Sequence, residues 1–127
     1  MTEDQRDAPR PHVVLLASPG VGHLIPLAEL ARRLVDHHGA AATLVTFADL
    51  DAPYSRSAVL SLLPSFIATA TLSVVSLDDL PADARVETVL FELVQHSLPY
   101  LRDLLRSMSV DALVPDFFCF TALSVAA

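Results

Sequence analysis

The stretch that decides the fold is residues 12–23, His-Val-Val-Leu-Leu-Ala-Ser-Pro-Gly-Val-Gly-His. Its first half is a continuous apolar run, which is typical of a strand buried on both faces of a parallel sheet. Its second half contains two glycines and a proline and predicts a loop. A buried strand that leads through such a loop into a helix is the first step of a doubly wound α/β domain.

The segment that follows the loop, from Leu24 to His38, predicts an amphipathic helix. Its charged side chains fall on the face opposite its apolar ones. The apolar positions are Leu27, Leu30, Ala31, Leu34 and Val35. Pro26 fits the first turn, where a missing N–H costs nothing, and Gly39 fits the C-terminal cap.

The rest of the chain continues this alternation. We predict strands over residues 41–47, 72–75 and 110–114, and a helix over 85–108 that Pro99 kinks or splits in two. The predicted architecture is therefore α/β, a Rossmann-like parallel sheet with crossover helices.

Two segments have less regular patterns. The longest uncharged run, residues 57–77, is nominally long enough to span a bilayer. Pro64 and the recurring Ser and Thr favour instead a short helix, a turn and a buried strand. Residues 117–127 predict a further helix or turn, and the chain stops inside an apolar run, which suggests a truncated domain.

The composition excludes several classes of function. The chain has 127 residues, 53% of them hydrophobic, with 8 basic and 15 acidic side chains and a formal net charge of −7. One domain fits this length, and the negative charge argues against nucleic acid or an anionic membrane as a partner. The single cysteine, Cys119, excludes an internal disulfide and predicts a reducing, cytoplasmic location. Residues 1–10 are expected to be a disordered tail without the features of a secretory signal.

The predicted topology brings two distant polar residues together. In a sheet of strand order 3-2-1-4, ligands bind at the switch point between strands 1 and 4, beyond their carboxyl ends. His23 follows strand 1 and Asp116 follows strand 4. A histidine beside a carboxylate can act as a general base, and Gly20 and Gly22 leave room for a ligand to approach it.

Each of these residues also has a structural interpretation. His23 could be an ordinary loop residue and Asp116 a helix cap. We expect Cys119 to be a small buried residue. The other histidines, His12, His37, His38 and His96, are expected to be structural or solvated. The aromatic cluster Phe117, Phe118 and Phe120 fits a core or a ligand pocket equally well.

A rival hypothesis is a dinucleotide-binding oxidoreductase. Gly20 and Gly22 match two positions of the dinucleotide fingerprint, and Asp49 lies where a ribose-binding acid would be. The third position is Ile25 rather than a small residue, so the match is incomplete.

The sequence resembles the plant family 1 UDP-glycosyltransferases, of the hydroquinone (arbutin synthase) type. The resemblance rests on Pro-Gly-Val-Gly-His-Leu-Ile-Pro-Leu at 19–27, Leu-Pro-Ser at 63–65, Ser-Leu-Pro-Tyr-Leu-Arg at 97–102 and Ala-Leu-Val-Pro-Asp-Phe-Phe at 112–118. It covers residues 11–127.

The resemblance implies a GT-B fold with two Rossmann-like domains, of which residues 11–127 would be part of the N-terminal, acceptor-binding one. It implies that His23 deprotonates the acceptor hydroxyl and that Asp116 pairs with it. Ser18 would lie near the sugar and the acceptor, and Glu87, Phe117 and Phe118 would line the acceptor pocket beside Gly22. The implied partners are a UDP-sugar and a small phenolic acceptor, with no cofactor and no metal.

One feature departs from the family. Its donor-binding signature is rich in tryptophan, and this chain contains none. We therefore expect the C-terminal UDP-sugar domain to be absent and the 127-residue chain not to transfer sugar alone. A third hypothesis is a non-catalytic protein that associates with a full-length homologue through its uncovered apolar surface.

Overall fold

The computed structural model describes residues 10–19, 21–47, 58–73 and 75–125. They contain a four-stranded parallel sheet of order β3-β2-β1-β4, which confirms the predicted strand order. The strands are β1 His12–Leu16, β2 Ala41–Phe47, β3 Ala68–Leu72 and β4 Ala112–Pro115. The sheet and its crossover helices confirm the α/β class.

Two long helices join these strands. Helix α1, Val21–His38, connects β1 to β2, and helix α2, Val86–Arg106, precedes β4. Gly39 has φ of 66° directly after α1, a conformation that favours glycine, so it ends the helix as predicted. A short helical segment covers residues 58–61, and a 3₁₀ segment, Phe117–Val125, follows β4.

The sheet separates two apolar layers. Alternate residues of β1 point to opposite faces, and both faces are covered, which explains why its sequence is apolar throughout. On one side Leu15 and Leu44 pack with the inner face of α1, including Leu24 and Ala31. The other layer combines strand residues with α2 and the 3₁₀ segment: Val14, Leu16, Val45, Phe47, Leu72, Leu93, Val94, Leu101, Cys119 and Ala122.

The predicted position of the third strand was wrong. The strand covers Ala68–Leu72 rather than residues 72–75, and most of it is exposed rather than buried. Because β3 is an edge strand, its outward threonines interrupt the apolar run that marks a buried strand. Thr71 lies 3.4 Å from Thr46 of β2, oxygen to oxygen, so these hydroxyls pair across the strands.

Pro99 does not split the second long helix. Helix α2 continues through it, so of the two expected outcomes, a kink or a split, the split is wrong. A proline inside a helix removes one backbone hydrogen bond and costs about 3 kcal/mol. Buried residues on both sides of Pro99, including Val94 and Leu101, anchor both halves of the helix in the core and offset this cost.

Within the described ranges, no helix is long and apolar enough to cross a membrane. The uncharged run at 57–77 contains the short helical segment, the turn before β3 and β3 itself.

Candidate active site

The candidate site lies where β1 and β4 end side by side. The register pairs Leu16 with Pro115, so the residues that follow these two leave the sheet together. Asp116 donates its backbone N–H to the carbonyl oxygen of Leu16 at 3.0 Å, which extends the ladder by one residue. On the other side of β1, the backbone N–H of Ala17 donates to Val45 at 3.0 Å. The start of both loops is therefore fixed by the sheet.

Asp116 is held through its side chain as well. Its Oδ2 accepts the backbone N–H of Ser18 at 2.7 Å and the Ser18 hydroxyl at 2.6 Å. The Asp116 carbonyl accepts the backbone N–H of Cys119 at 3.0 Å, which begins the 3₁₀ segment. The backbone carbonyl of Asp116 therefore begins this segment, while its carboxylate is directed toward the β1 loop.

His23 reaches the same carboxylate from the first turn of α1. Its Nδ1 lies 3.8 Å from Oδ2 of Asp116, and 38% of its side chain is exposed, against 13% for Asp116. The distance is longer than a hydrogen bond but within the range of an ion pair. Catalytic hydrogen bonds are often long before a substrate binds. The prediction that these two residues lie together is confirmed, whereas a catalytic role for them stays a prediction.

Cys119 lies close to Asp116, in the 3₁₀ segment, and its side chain is fully buried. Burial, followed by the negative charge of the nearby Asp116 carboxylate, raises the pKa of the Cys119 thiol well above its usual range. The cysteine is thus a protonated, buried residue, as expected. Its contact with Asp116 was missed, although a spacing of three residues in a helical turn could have indicated it.

The predicted binding residues lie in different surroundings. Ser18 is 3% exposed, and its hydroxyl is directed to Asp116. Gly22 is exposed, and a Cβ added to it would meet no atom within 4 Å, so packing within the described chain does not require glycine there. Glu87 is exposed in the first turn of α2. Their roles in binding an acceptor stay predictions.

The structure describes the side chain of one of the three aromatic residues after Asp116. Phe117 and Phe118 open the 3₁₀ segment, but their side chains fall outside the described part of the structure. Phe120 is 59% exposed, so it does not belong to the core. Gly20 and Asp49, on which the dinucleotide hypothesis depends, also lie outside the described residues.

The remaining histidines confirm their expected structural or solvated character. The ring of His12 lies between the Ser109 carbonyl at 2.9 Å and the Thr43 hydroxyl at 2.8 Å. The ring of His96 lies 3.2 Å from Glu92 on the same helix. His37 and His38 are exposed in the last turn of α1.

Comparison with known proteins finds relatives of this chain among plant enzymes. No family model matches the chain. UDP-glycosyltransferase 72B3 of Arabidopsis thaliana is 43% identical over 126 residues, which cover 95% of this chain and 26% of that protein. Hydroquinone glucosyltransferase of Rauvolfia serpentina is 41% identical over 120 residues, which cover 91% of this chain and 26% of that protein.

A solved structure agrees with these relatives. It is a UDP-glucosyltransferase from Polygonum tinctorium, capable of glucosylating indoxyl, in complex with 3,4-dichloroaniline. It matches with a TM-score of 0.83 and 43% identity, over 94% of this chain and 28% of that one.

The parallel sheet and the structural match define the described residues as part of a Rossmann-like domain of the GT-B type. The chain is homologous to these plant UDP-glycosyltransferases over more than nine-tenths of its own residues. It spans about a quarter of the length of the curated relatives it matches. This homology favours the glycosyltransferase interpretation over the dinucleotide-binding one.

Proposed function

We propose that this chain supplies the acceptor-binding and proton-abstracting part of a UDP-glycosyltransferase. The reaction transfers a hexose, glucose, from a UDP-sugar to a hydroxyl of a small phenolic acceptor, with inversion at the anomeric carbon. The observation that supports it best is the placement of His23 beside Asp116, with 3.8 Å between Nδ1 and Oδ2, at the switch point of the sheet. The names of the relatives support the acceptor class, since one glucosylates hydroquinone and another indoxyl.

In the proposed reaction, His23 removes the proton of the acceptor hydroxyl through Nε2. The resulting oxygen forms a bond to the anomeric carbon, and the bond between that carbon and the UDP oxygen breaks. UDP leaves with the bonding electron pair. Asp116 faces Nδ1, where its negative charge stabilises the imidazolium that forms and holds the ring in the tautomer with a basic Nε2.

The proposal gives the described residues no role in holding UDP. The chain has no tryptophan, whereas the resemblance implies a tryptophan-rich donor site. We therefore propose that the 127-residue chain alone does not transfer sugar and that the donor is bound by the part of the relatives that it does not match. No cofactor is needed, and a cytoplasmic location fits a single cysteine that stays a thiol.

The test is to join this chain to the remaining part of the Rauvolfia serpentina hydroquinone glucosyltransferase. We expect the chimera to glucosylate hydroquinone, and the chain alone to show no turnover of UDP-glucose. His23→Ala should lower kcat/KM of the chimera by about 10²- to 10⁴-fold, the usual contribution of a general base. His38→Ala is the matched control, because it removes an exposed histidine from the same helix, and it should retain activity.

Two results would contradict the proposal. Turnover by the isolated chain would show that it is not limited to the acceptor part. A His23→Ala chimera as active as the His38→Ala chimera would show that His23 is not the base.

A further inference from the structure

We infer that Ser18 is a positioning residue that fixes the orientation of the Asp116 carboxylate, and through it the tautomer of His23. This inference rests on the proposed function, since the carboxylate matters to the reaction only if His23 is the base. It also changes the role of Ser18, which the family resemblance places near the sugar and the acceptor.

The contacts of Ser18 support this role. Ser18 is 3% exposed, and it uses both its backbone N–H and its hydroxyl on one carboxylate oxygen, at 2.7 Å and 2.6 Å. A serine hydroxyl has a single hydrogen to donate. Because that hydrogen is committed to Asp116, Ser18 does not have it for a sugar or an acceptor.

The backbone of Asp116 is fixed on both sides as well. Its N–H donates to the carbonyl of Leu16 in β1 at 3.0 Å, and its own carbonyl accepts the backbone N–H of Cys119 in the 3₁₀ segment at 3.0 Å. The side chain of Cys119 is fully buried, which anchors this segment in the core. Asp116 is thus held by β1 at its backbone N–H, by the 3₁₀ segment at its carbonyl, and by Ser18 at its carboxylate.

This arrangement has a consequence for His23. A carboxylate that cannot rotate presents Oδ2 to Nδ1 in one geometry, which favours the tautomer with the proton on Nδ1. That tautomer has its basic lone pair on Nε2. Loss of a donor to Asp116 lets the carboxylate rotate and weakens the preference for the Nδ1–H form.

The experiment measures the tautomer ratio of His23 in the 127-residue chain by long-range ¹H–¹⁵N NMR of the imidazole rings, at a pH where the ring is neutral. The His23 signals are assigned by their loss in His23→Gln. We expect the Nδ1–H form to dominate in the unmodified chain. Ser18→Ala should lower the ratio of Nδ1–H to Nε2–H by roughly three- to tenfold, as expected for the loss of one net hydrogen bond.

A conservative variant separates positioning from packing. Ser18→Thr keeps a hydroxyl donor and should retain the ratio. Ser97→Ala is the matched control. Ser97 is 1% exposed, and its hydroxyl has no hydrogen-bond partner among the described residues, so its removal should leave the ratio unchanged.

An unchanged ratio in Ser18→Ala, relative to Ser97→Ala, would overturn the inference, as would a dominant Nε2–H form in the unmodified chain. If Ser18→Ala does not fold, Ser18→Cys replaces it and should lie between the alanine variant and the unmodified chain. These readouts need no catalysis. An inactive chimera would therefore contradict the proposed function alone, and an unchanged ratio would contradict the positioning role alone.

Discussion

The two ends of β1 and β4 use the same pair of residue types for different purposes. At the amino end, Asp111 accepts the backbone N–H of His12 at 2.8 Å, and at the carboxyl end Asp116 accepts that of Ser18 at 2.7 Å. Each end has a histidine nearby. At the amino end both ring nitrogens of His12 have protein partners within 2.9 Å. At the carboxyl end His23 is 38% exposed, and its Nδ1 is 3.8 Å from the carboxylate.

The difference follows from where each histidine sits. His12 is a strand residue, so its ring is directed across the sheet to Thr43 of β2 and the loop before β4. A carbonyl only accepts hydrogen bonds, so the Ser109 contact assigns the proton to Nδ1 of His12. His23 lies in the first turn of a helix, beyond the strands, where ligands approach such a sheet. Two hydrogen-bonded ring nitrogens define the half-buried structural histidine, and exposure beside a fixed carboxylate defines the candidate base.

The largest expected difference between the two ends is in activity, when Asp116 or Asp111 is replaced one at a time. Asp116→Asn in the chimera should lower kcat/KM by about 10²- to 10⁴-fold, because an amide cannot stabilise an imidazolium in the same way. Asp111→Asn keeps an oxygen for the N–H of His12 and should retain activity. Steady-state kinetics with hydroquinone measures both, and equal losses would show that the two ends do not differ in function.

The free energy of unfolding should depend more on the histidine at the amino end than on the one at the carboxyl end. His12→Ala removes both ring contacts and leaves the hydroxyl of Thr43, which is 5% exposed, without that partner. We expect a loss of about 1–3 kcal/mol in the free energy of unfolding. His23→Ala should change it by less than about 0.5 kcal/mol, as is usual at exposed positions. Urea denaturation of the chain measures both, and a larger loss for His23→Ala would reverse the assignment of the two histidines.

The smallest expected effect lies on the outer face of α1, away from either end. Hydrogen bonds from Arg32 and then Arg33 lower the pKa of Glu29 from 4.5 to about 2. A lowered pKa means that the ion pairs stabilise the fold above pH 4.5 and that this contribution disappears as the pH falls toward about 2. The Glu29 carboxylate is exposed, so salt at about 1 M should reduce the stability that these ion pairs contribute.

NMR titration of the Glu29 carboxyl carbon, with the helical circular dichroism signal of Glu29→Gln as control, checks this prediction. In the unmodified chain, protonation of Glu29 should contribute to the loss of helical signal as the pH falls. Glu29→Gln should lack this contribution. A Glu29 midpoint near 4.5 would show that these ion pairs do not form in solution.

The strand order and the meeting of His23 with Asp116 could be predicted because both depend on apolar runs that mark β1, β2 and β4 in the sequence. The position of β3 could not, since exposed threonines interrupt its apolar run. The continuity of α2 through Pro99 could not be predicted either, because it depends on burial against a sheet formed by residues distant in sequence.

The support of Asp116 could not be predicted for a similar reason. Its hydrogen bonds with Ser18 depend on side-chain rotamers and on the exact register of two strands. The family resemblance places Ser18 near the ligand, whereas the structure directs its hydroxyl to the carboxylate. The place of Ser18 in the motif thus predicted which part of the site it occupies, but not that its hydroxyl bonds to Asp116.

The pairing of Leu16 with Pro115 sets the register of β1 and β4, and the proposed chemistry depends on that register. Side chains alternate along a strand, so a slip of β4 by one residue would turn Asp116 away and put a phenylalanine or a proline in its place. Such a molecule could remain compact and well packed while losing the partner of His23. Activity of the chimera would therefore report the fraction of molecules in the native strand register, a form of misfolding that the signal of a helix or a sheet would not distinguish.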